Sequence, residues 1–214
     1  MIKTWIADVS PLTKADTYQK YYKLATEVRR KKADQMMHIN DKALSLGVWS
    51  LYEKVRKSLE IPSQAIYNFS HAGHYALCSI AENEMPDVKV GCDLELVKEL
   101  RLGVAKRFFC PAEYAYIKSQ LSKEAQTEEF FRYWVLKESF LKATREGMKL
   151  PMDTFEIQLT RGVAPQLIRQ PKEMKESYYY QEYEAEDSLQ GTMYKVAVCA
   201  TTTNIAKELI WQEL

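Results

Sequence analysis

The chain has 214 residues, 46% of them apolar, and sets 30 Lys and Arg against 29 Asp and Glu for a formal charge of +1. The apolar share argues against wholesale disorder, and the near-neutral balance against a general nucleic-acid binder or a polybasic membrane protein. No apolar run approaches the ~20 residues of a membrane span, the first residues form no signal peptide, and Cys78, Cys92, Cys110 and Cys199 are scattered without zinc spacing, so a soluble, cytoplasmic chain with reduced thiols is expected.

In chain order, residues 2–9 read as a strand and residues 14–37 as a charged, Tyr-rich helix ending near the basic run Arg29-Arg30-Lys31-Lys32. Asn40 or Asp41 can cap a second helix, in which Leu44, Val48, Leu51, Val55 and Leu59 repeat at helical spacing until Pro62. Strand-like runs at 65–70 and 75–81 flank His71-Ala72-Gly73-His74, and residues 88–97 make a third. Helical sequence at 100–109 leads to a helix opening at Pro111, with Glu113 placed to reach back as a capping residue. A longer helix covers 128–145, with Gly147 placed to end it. β-rich sequence follows at 154–159, 178–184 and 194–201, and residues 75–81 loosely resemble 194–200. The expected fold is α+β: two similar α/β halves, residues 1–98 and 99–214, each a small, mostly antiparallel sheet with packed helices.

Three constellations can carry chemistry. Val88, Val90, Cys92, Leu94 and Leu96 alternate onto one strand face and leave Gly91, Asp93 and Glu95 on the other. Carboxylates at i and i+2 lie about 7 Å apart along a strand, from where their oxygens can converge on a hard cation such as Mg²⁺. Gly91 beside them would let a ligand approach the backbone. An ordinary solvated strand face carries the same pattern. In the long helix, Trp134, Glu138, Lys142 and Arg145 fall within an arc of about 80°, while Tyr133, Leu136, Phe140 and Ala143 cover much of the opposite side. Charges in such surroundings need partners; an exposed Glu-to-Lys i,i+4 pair is the plainer alternative. Finally, Asn68-Phe69-Ser70-His71 ends a strand at a turn, where a hydroxyl and an imidazole can meet a phosphate, although a lone His at a turn is commonly incidental. No GxGxxG, Walker A, GxSxG or HExxH pattern is present, and three histidines, at 38, 71 and 74, argue against a His-rich metal site.

Taken in order, Asn68-Phe69-Ser70-His71, Gly91-Cys92-Asp93-Leu94-Glu95, Phe108-Phe109 with Glu113, and Trp134-Val135-Leu136-Lys137-Glu138-Ser139-Phe140-Leu141-Lys142 resemble the 4′-phosphopantetheinyl transferase superfamily. G-x-D-x-E followed by W-x-x-K-E-[AS]-x-x-K is the most diagnostic pair, and the resemblance is strongest over residues 65–155. Chain length and two halves look like the monomeric type rather than the short trimeric holo-carrier-protein synthases. The resemblance implies Mg²⁺ held by Asp93, Glu95 and Glu138. It implies coenzyme A as co-substrate in the cleft between the halves, contacted by Ser70, His71, Lys31, Lys42 and Lys142. Catalysis would fall to Asp93, Lys142 and Glu138, the last as general base, with release of 3′,5′-ADP. The implied partner is an apo acyl or peptidyl carrier protein, docked beside the helix at Pro111, where Lys106, Arg107, Lys118 and Lys123 accompany Tyr114, Tyr116 and Ile117. One departure stands out: Ile61-Pro62-Ser63-Gln64 occupies the place of the family's glycine-lysine-proline segment. Two other readings of the same acids are a non-catalytic coenzyme A or carrier-binding module and an Mg²⁺-dependent phosphohydrolase.

Overall fold

A computed structural model describes residues 1–82, 87–187 and 191–214, apart from the side chain of Met148. Its strands are β1 (Ile2–Asp8), β2 (Tyr67–Ala72), β3 (Tyr75–Ala81), β4 (Val90–Leu96), β5 (Glu156–Gln158), β6 (Gln166–Arg169), β7 (Tyr179–Asp187), β8 (Thr192–Ala200) and β9 (Ile205–Trp211). Its α-helices are α1 (Ala15–Leu24), α2 (Glu27–Asp34), α3 (Ile39–Ser58), α4 (Leu102–Phe108), α5 (Pro111–Lys118) and α6 (Lys123–Thr144). The strands form two sheets, β2-β3-β1-β9 and β4-β8-β7-β6-β5, so the α+β class read from the sequence holds. No helix among the described residues is long and apolar enough to cross a membrane.

Alternation along the strands decides the layering. Ile2 and Ile6 of β1, Leu77 of β3, Val90, Cys92 and Leu94 of β4, and Tyr183, Val196 and Val198 of the second sheet share one core between the sheets. Residues one step along, Trp5, Ala76, Cys78 and Ile80, face the other way and pack on Leu44, Val48, Leu51 and Val55 of α3. On the far side, Ala197 and Cys199 of β8 pack on Leu136, Phe140 and Ala143 of α6. The apolar face assigned to 88–97 is thus the inner face of β4, and its polar face looks toward α6.

The boundary near residue 98 does not coincide with the sheets. β4 pairs antiparallel with β8, from Val90↔Ala200 to Leu96↔Tyr194, while β9 runs parallel to β1. Each half gives its last strand to the other half's sheet, because β4 buries its apolar face only between the two sheets.

Several element boundaries differ from the expected ones. Residues 14–37 break into two helices where Thr26 caps α2, its Oγ1 accepting from the Arg29 amide at 3.4 Å. Neither Asn40 nor Asp41 caps α3; His38 stands at its N-cap without a side-chain bond. Ser122 starts α6 earlier than the apolar pattern does, its Oγ accepting from the Ala125 amide at 3.1 Å. Arg145, at φ 62°, ends that helix in place of Gly147. Strands β6 and β9 had no clear signal. In contrast, α5 opens at Pro111, with Glu113 Oε2 accepting from the Cys110 amide at 2.9 Å as the capping pattern required.

Gly91 gives room to the protein itself rather than to a ligand. A Cβ there would lie 2.1 Å from the Ser139 carbonyl oxygen and 2.3 Å from the Ala143 nitrogen, both backbone atoms of α6. Gly91→Ala therefore forces β4 and α6 apart and is expected to cost at least about 2 kcal/mol. Gly103→Ala, in open space on α4, should instead be neutral or stabilise by roughly 0.5–1 kcal/mol. Urea denaturation of the two variants checks the contrast.

Candidate active site

The edge strand of each sheet, β2 and β4, meets the C-terminal turns of α6 at one corner. Because Gly91 brings the α6 backbone against β4, a lysine on that turn reaches the strand's polar face. Lys142 Nζ lies 2.6 Å from Asp93 Oδ1, 3.0 Å from Ser70 Oγ and 3.1 Å from the Cys92 carbonyl oxygen. Ser70 Oγ donates to Asp93 Oδ1 at 2.9 Å and accepts from the Leu94 amide at 3.3 Å. One donor and two acceptor positions are all a hydroxyl has, so Ser70 is fully engaged within the protein and has no bond left for a phosphate in this arrangement. Asp93 is 3% exposed, and its Oδ2 is buried without a hydrogen-bond partner.

Glu95 and Glu138 border this pair, both half-buried. Lys142 does not form the i,i+4 ion pair with Glu138 that a plain surface helix would carry; its partner is Asp93. Burial raises the Asp93 carboxyl above its ordinary value despite the pull of Lys142 and Ser70. Burial, then repulsion from Asp93, raises Glu138 likewise, and the same two causes push Glu95 up to about 7. Burial opposes the Lys142 ammonium, but Asp93 leads the neighbours that outweigh it, and its pKa stands above the usual lysine value. These are carboxylates crowded around too little positive charge. Their hard oxygens, and the orphaned Oδ2 above all, suit a divalent cation such as Mg²⁺. Among the described residues, however, no three His, Cys, Asp or Glu side chains are close enough together to enclose a metal; in this arrangement the Asp93 Oδ1 is held by Lys142.

The basic residues of the first half divide differently from expectation. Lys31 is exposed and paired with Glu27 at 2.7 Å, and Lys42 is half-buried in the first turn of α3; among the described residues no ion pair or hydrogen bond joins either side chain to the Asp93 cluster. Arg29 instead lies over the rings of Trp49 and Phe69, at 4.7 and 5.6 Å. Although His71 is exposed, loss of water around it, then Lys142 and Lys32, lowers its imidazole pKa. Arg29 is thus the member of the run that packs on β2, and Lys32, three residues on along α2, is the one whose charge bears on His71; the i,i+3 spacing is the signal that links them.

A second buried pair escaped the sequence reading. Lys137 is fully buried, with Nζ 2.8 Å from Glu113 Oε2 and within 2.9 Å of the Met152 and Phe155 carbonyl oxygens. Glu113 also accepts from the Cys110 and Ile157 amides. The pair fixes the rotation of α6 between α5 and β5, which turns the next residue, Glu138, to the β4 side. On the expected docking surface, Lys106, Arg107, Lys118 and Lys123 are exposed and Phe108 is 42% exposed. Ile117 is buried, contrary to its surface reading, and Tyr116 packs on Tyr133.

Lys142, Asp93 and Ser70 thus tie α6, β4 and β2 together at one corner, bordered by Glu95 and Glu138. Residues 89–199, over half of the chain, match the 4′-phosphopantetheinyl transferase superfamily (ACPS). The chain belongs to that superfamily. It is 31% identical over 148 residues to the 4′-phosphopantetheinyl transferase Sfp of Bacillus subtilis (strain 168), covering 68% of this chain and 59% of the relative. It is 38% identical over 100 residues to the 4′-phosphopantetheinyl transferase HetI of Nostoc sp., covering 46% of this chain and 40% of the relative. The chain thus spans well under two thirds of the length of these curated relatives. Among solved structures, the holo-ACP-synthase of Plasmodium yoelii aligns with a TM-score of 0.40 and 16% identity, over 54% of this chain and 95% of the other.

Lys137→Met leaves Glu113 buried and unpaired and should cost about 3–5 kcal/mol, part of which returns when Glu113→Gln is added; chemical denaturation of the single and double variants tests this. A carboxyl whose folded pKa is raised binds its proton more tightly folded than unfolded, so stability is lost as pH rises between the two values. For Glu95 that window runs from 4.5 to about 7. In divalent-free buffer the Tm should therefore fall across it, and Glu95→Gln should flatten the dependence.

Proposed function

We propose that the chain transfers the 4′-phosphopantetheine arm of coenzyme A to a serine of an apo acyl or peptidyl carrier protein. The observation that carries this reading is the Lys142–Asp93–Ser70 cluster, which joins α6 and β4, both inside the stretch matched by the superfamily, to β2, which precedes it. The serine oxygen attacks the phosphorus bearing the pantetheine arm. A new P–O bond forms, the bond to the nucleotide phosphate breaks, and 3′,5′-ADP leaves. Phosphoryl transfer of this kind asks the protein for positioning and charge neutralisation more than for covalent chemistry.

Each residue then has a task. Lys142 sits where it can offset negative charge on the diphosphate, and Ser70 holds it there with Asp93. Glu138, its carboxyl raised by burial and by Asp93, is suited to take the serine proton, since a base works best with a pKa near the operating pH. Asp93, Glu95 and Glu138 would hold Mg²⁺, which when bound supplies charge neutralisation at the diphosphate. The nucleotide end would lie along exposed His71 with Lys32 and Arg29, and the acidic surface of a carrier protein along the exposed lysines of α4 and α5. Such rim charges mainly steer encounter.

The test is incubation with coenzyme A, Mg²⁺ and an apo carrier protein, read as a gain of about 340 Da on the carrier. Asp93→Ala should abolish the gain. Lys142→Ala should lower kcat/KM for coenzyme A about 100-fold, or ~3 kcal/mol. No gain with the unaltered chain, combined with retained coenzyme A binding by calorimetry, would replace this reading with the non-catalytic module.

A further inference from the structure

The Asn-x-Ser pattern of β2 has a second half that the reaction leaves unused. β4 is one edge of its sheet, paired on one side with β8, so its outward amides have no paired strand within that sheet. Two of them find side chains instead. The Cys92 amide donates to Asn68 Oδ1 at 3.0 Å and the Leu94 amide to Ser70 Oγ at 3.3 Å. Asn68 matches Cys92, and Ser70 matches Leu94, so the strands advance together at a spacing of two. These side chains do the work of a missing backbone ladder, and the residue between the two tethered amides is Asp93.

We infer that Asn68 is a positioning residue for the transfer reaction, fixing Asp93 through the Cys92 backbone. The two members of the motif differ in kind. Ser70 touches Asp93 and Lys142 directly. Among the described residues the Asn68 side chain is hydrogen-bonded to Cys92 and to neither Asp93 nor Lys142, and the Cys92 Sγ also donates to the Asn68 carbonyl oxygen at 3.3 Å. Cys92 in turn presents its own carbonyl oxygen to Lys142 at 3.1 Å. One residue of β4 is therefore held from outside by Asn68 and itself holds the site's lysine. A buried amide left without an acceptor is unfavourable, so β4 shifts locally toward another acceptor, and small displacements of reacting groups cost rate steeply. Supporting hydrogen bonds behind carboxylate ligands act in the same manner.

The inference rests on the proposed transfer for its kinetic arm only. Asn68→Leu keeps the size and removes the acceptor; Asn68→Asp keeps an oxygen in place. Amide exchange followed by NMR should show the Cys92 amide exchanging about tenfold faster in Asn68→Leu, with Val196 and Val198 of β8 unchanged, and protection regained in Asn68→Asp. In the same Asn68→Leu protein kcat should fall at least about tenfold, with a Tm close to that of the parent. An unchanged Cys92 amide overturns the inference, as does lost protection with unchanged kcat. Loosening of β4 and β8 together, with a fallen Tm, would reduce Asn68 to an ordinary structural residue and also overturn it. An unaltered chain that transfers nothing would remove the functional reading, and the positioning claim would then stand or fall on the amide exchange alone.

Discussion

The contact of Lys142 with Asp93 is possible only because strand and helix backbones touch at Gly91. An α-helix normally stands off a sheet by the depth of its side chains; here a missing Cβ removes that spacer, and a lysine on the helix can lay its ammonium on the strand's acid. The ion pair is largely removed from water, where an unpaired charge of either sign is costly. The rest of the corner serves it. Ser70 bonds to both partners, the Cys92 carbonyl gives Lys142 a third acceptor, and Asn68 bonds to the strand from its open side. The bonds from Ser70 and Lys142 both fall on one side of the Asp93 carboxylate, and Oδ2 on its other side is buried without a hydrogen-bond partner.

Helix α6 resolves a conflict that its composition poses. Its residues from Phe130 to Ala143 are buried on several sides, yet the stretch carries Lys137, Glu138 and Lys142. Neighbouring charges are sent to separate compartments. Lys137 goes into the core, where Glu113, two carbonyl oxygens and the Phe155 ring at 4.2 Å surround it; Glu138 and Lys142 go to the β4 side. A buried ammonium with one well-placed acid tolerates little rotation of its helix, so the costly pair sets the angle at which the other two are presented.

The local code carried most of this arrangement. Alternation in residues 88–97 separated the core face of β4 from its acidic face, and the capping pattern placed the start of α5. The combination of spaced motifs identified the superfamily that residues 89–199 match. What failed to show were matters decided by distant partners. Whether Gly91 accommodates a ligand or a helix depends on what packs above it. Lys137 reads as one more charged position until Glu113 is found beside it in space. Of the run 29–32, the sequence singled out Lys31, which turns to its own helix and Glu27, because the rotation of α2 is set by Arg29 resting on Trp49 and Phe69. Strands β6 and β9 were missed because the first is only four residues long and the second is a half-polar edge strand, so that their pairing comes from the sheet they join rather than from their own pattern.

The exchange of strands between the sheets sets an order on synthesis. β1 and β3 are made well before the neighbour that covers the outer edge of β1, which is β9, separated from β3 by more than half of the 214 residues. Until residues 205–211 emerge, the first sheet carries an open edge, and an open edge invites pairing with another chain. The contact that closes it spans a long loop, the kind of late, non-local closure that slows folding. For a chain made from its N-terminus onward, the sheet begun first of the two is thus the one completed last.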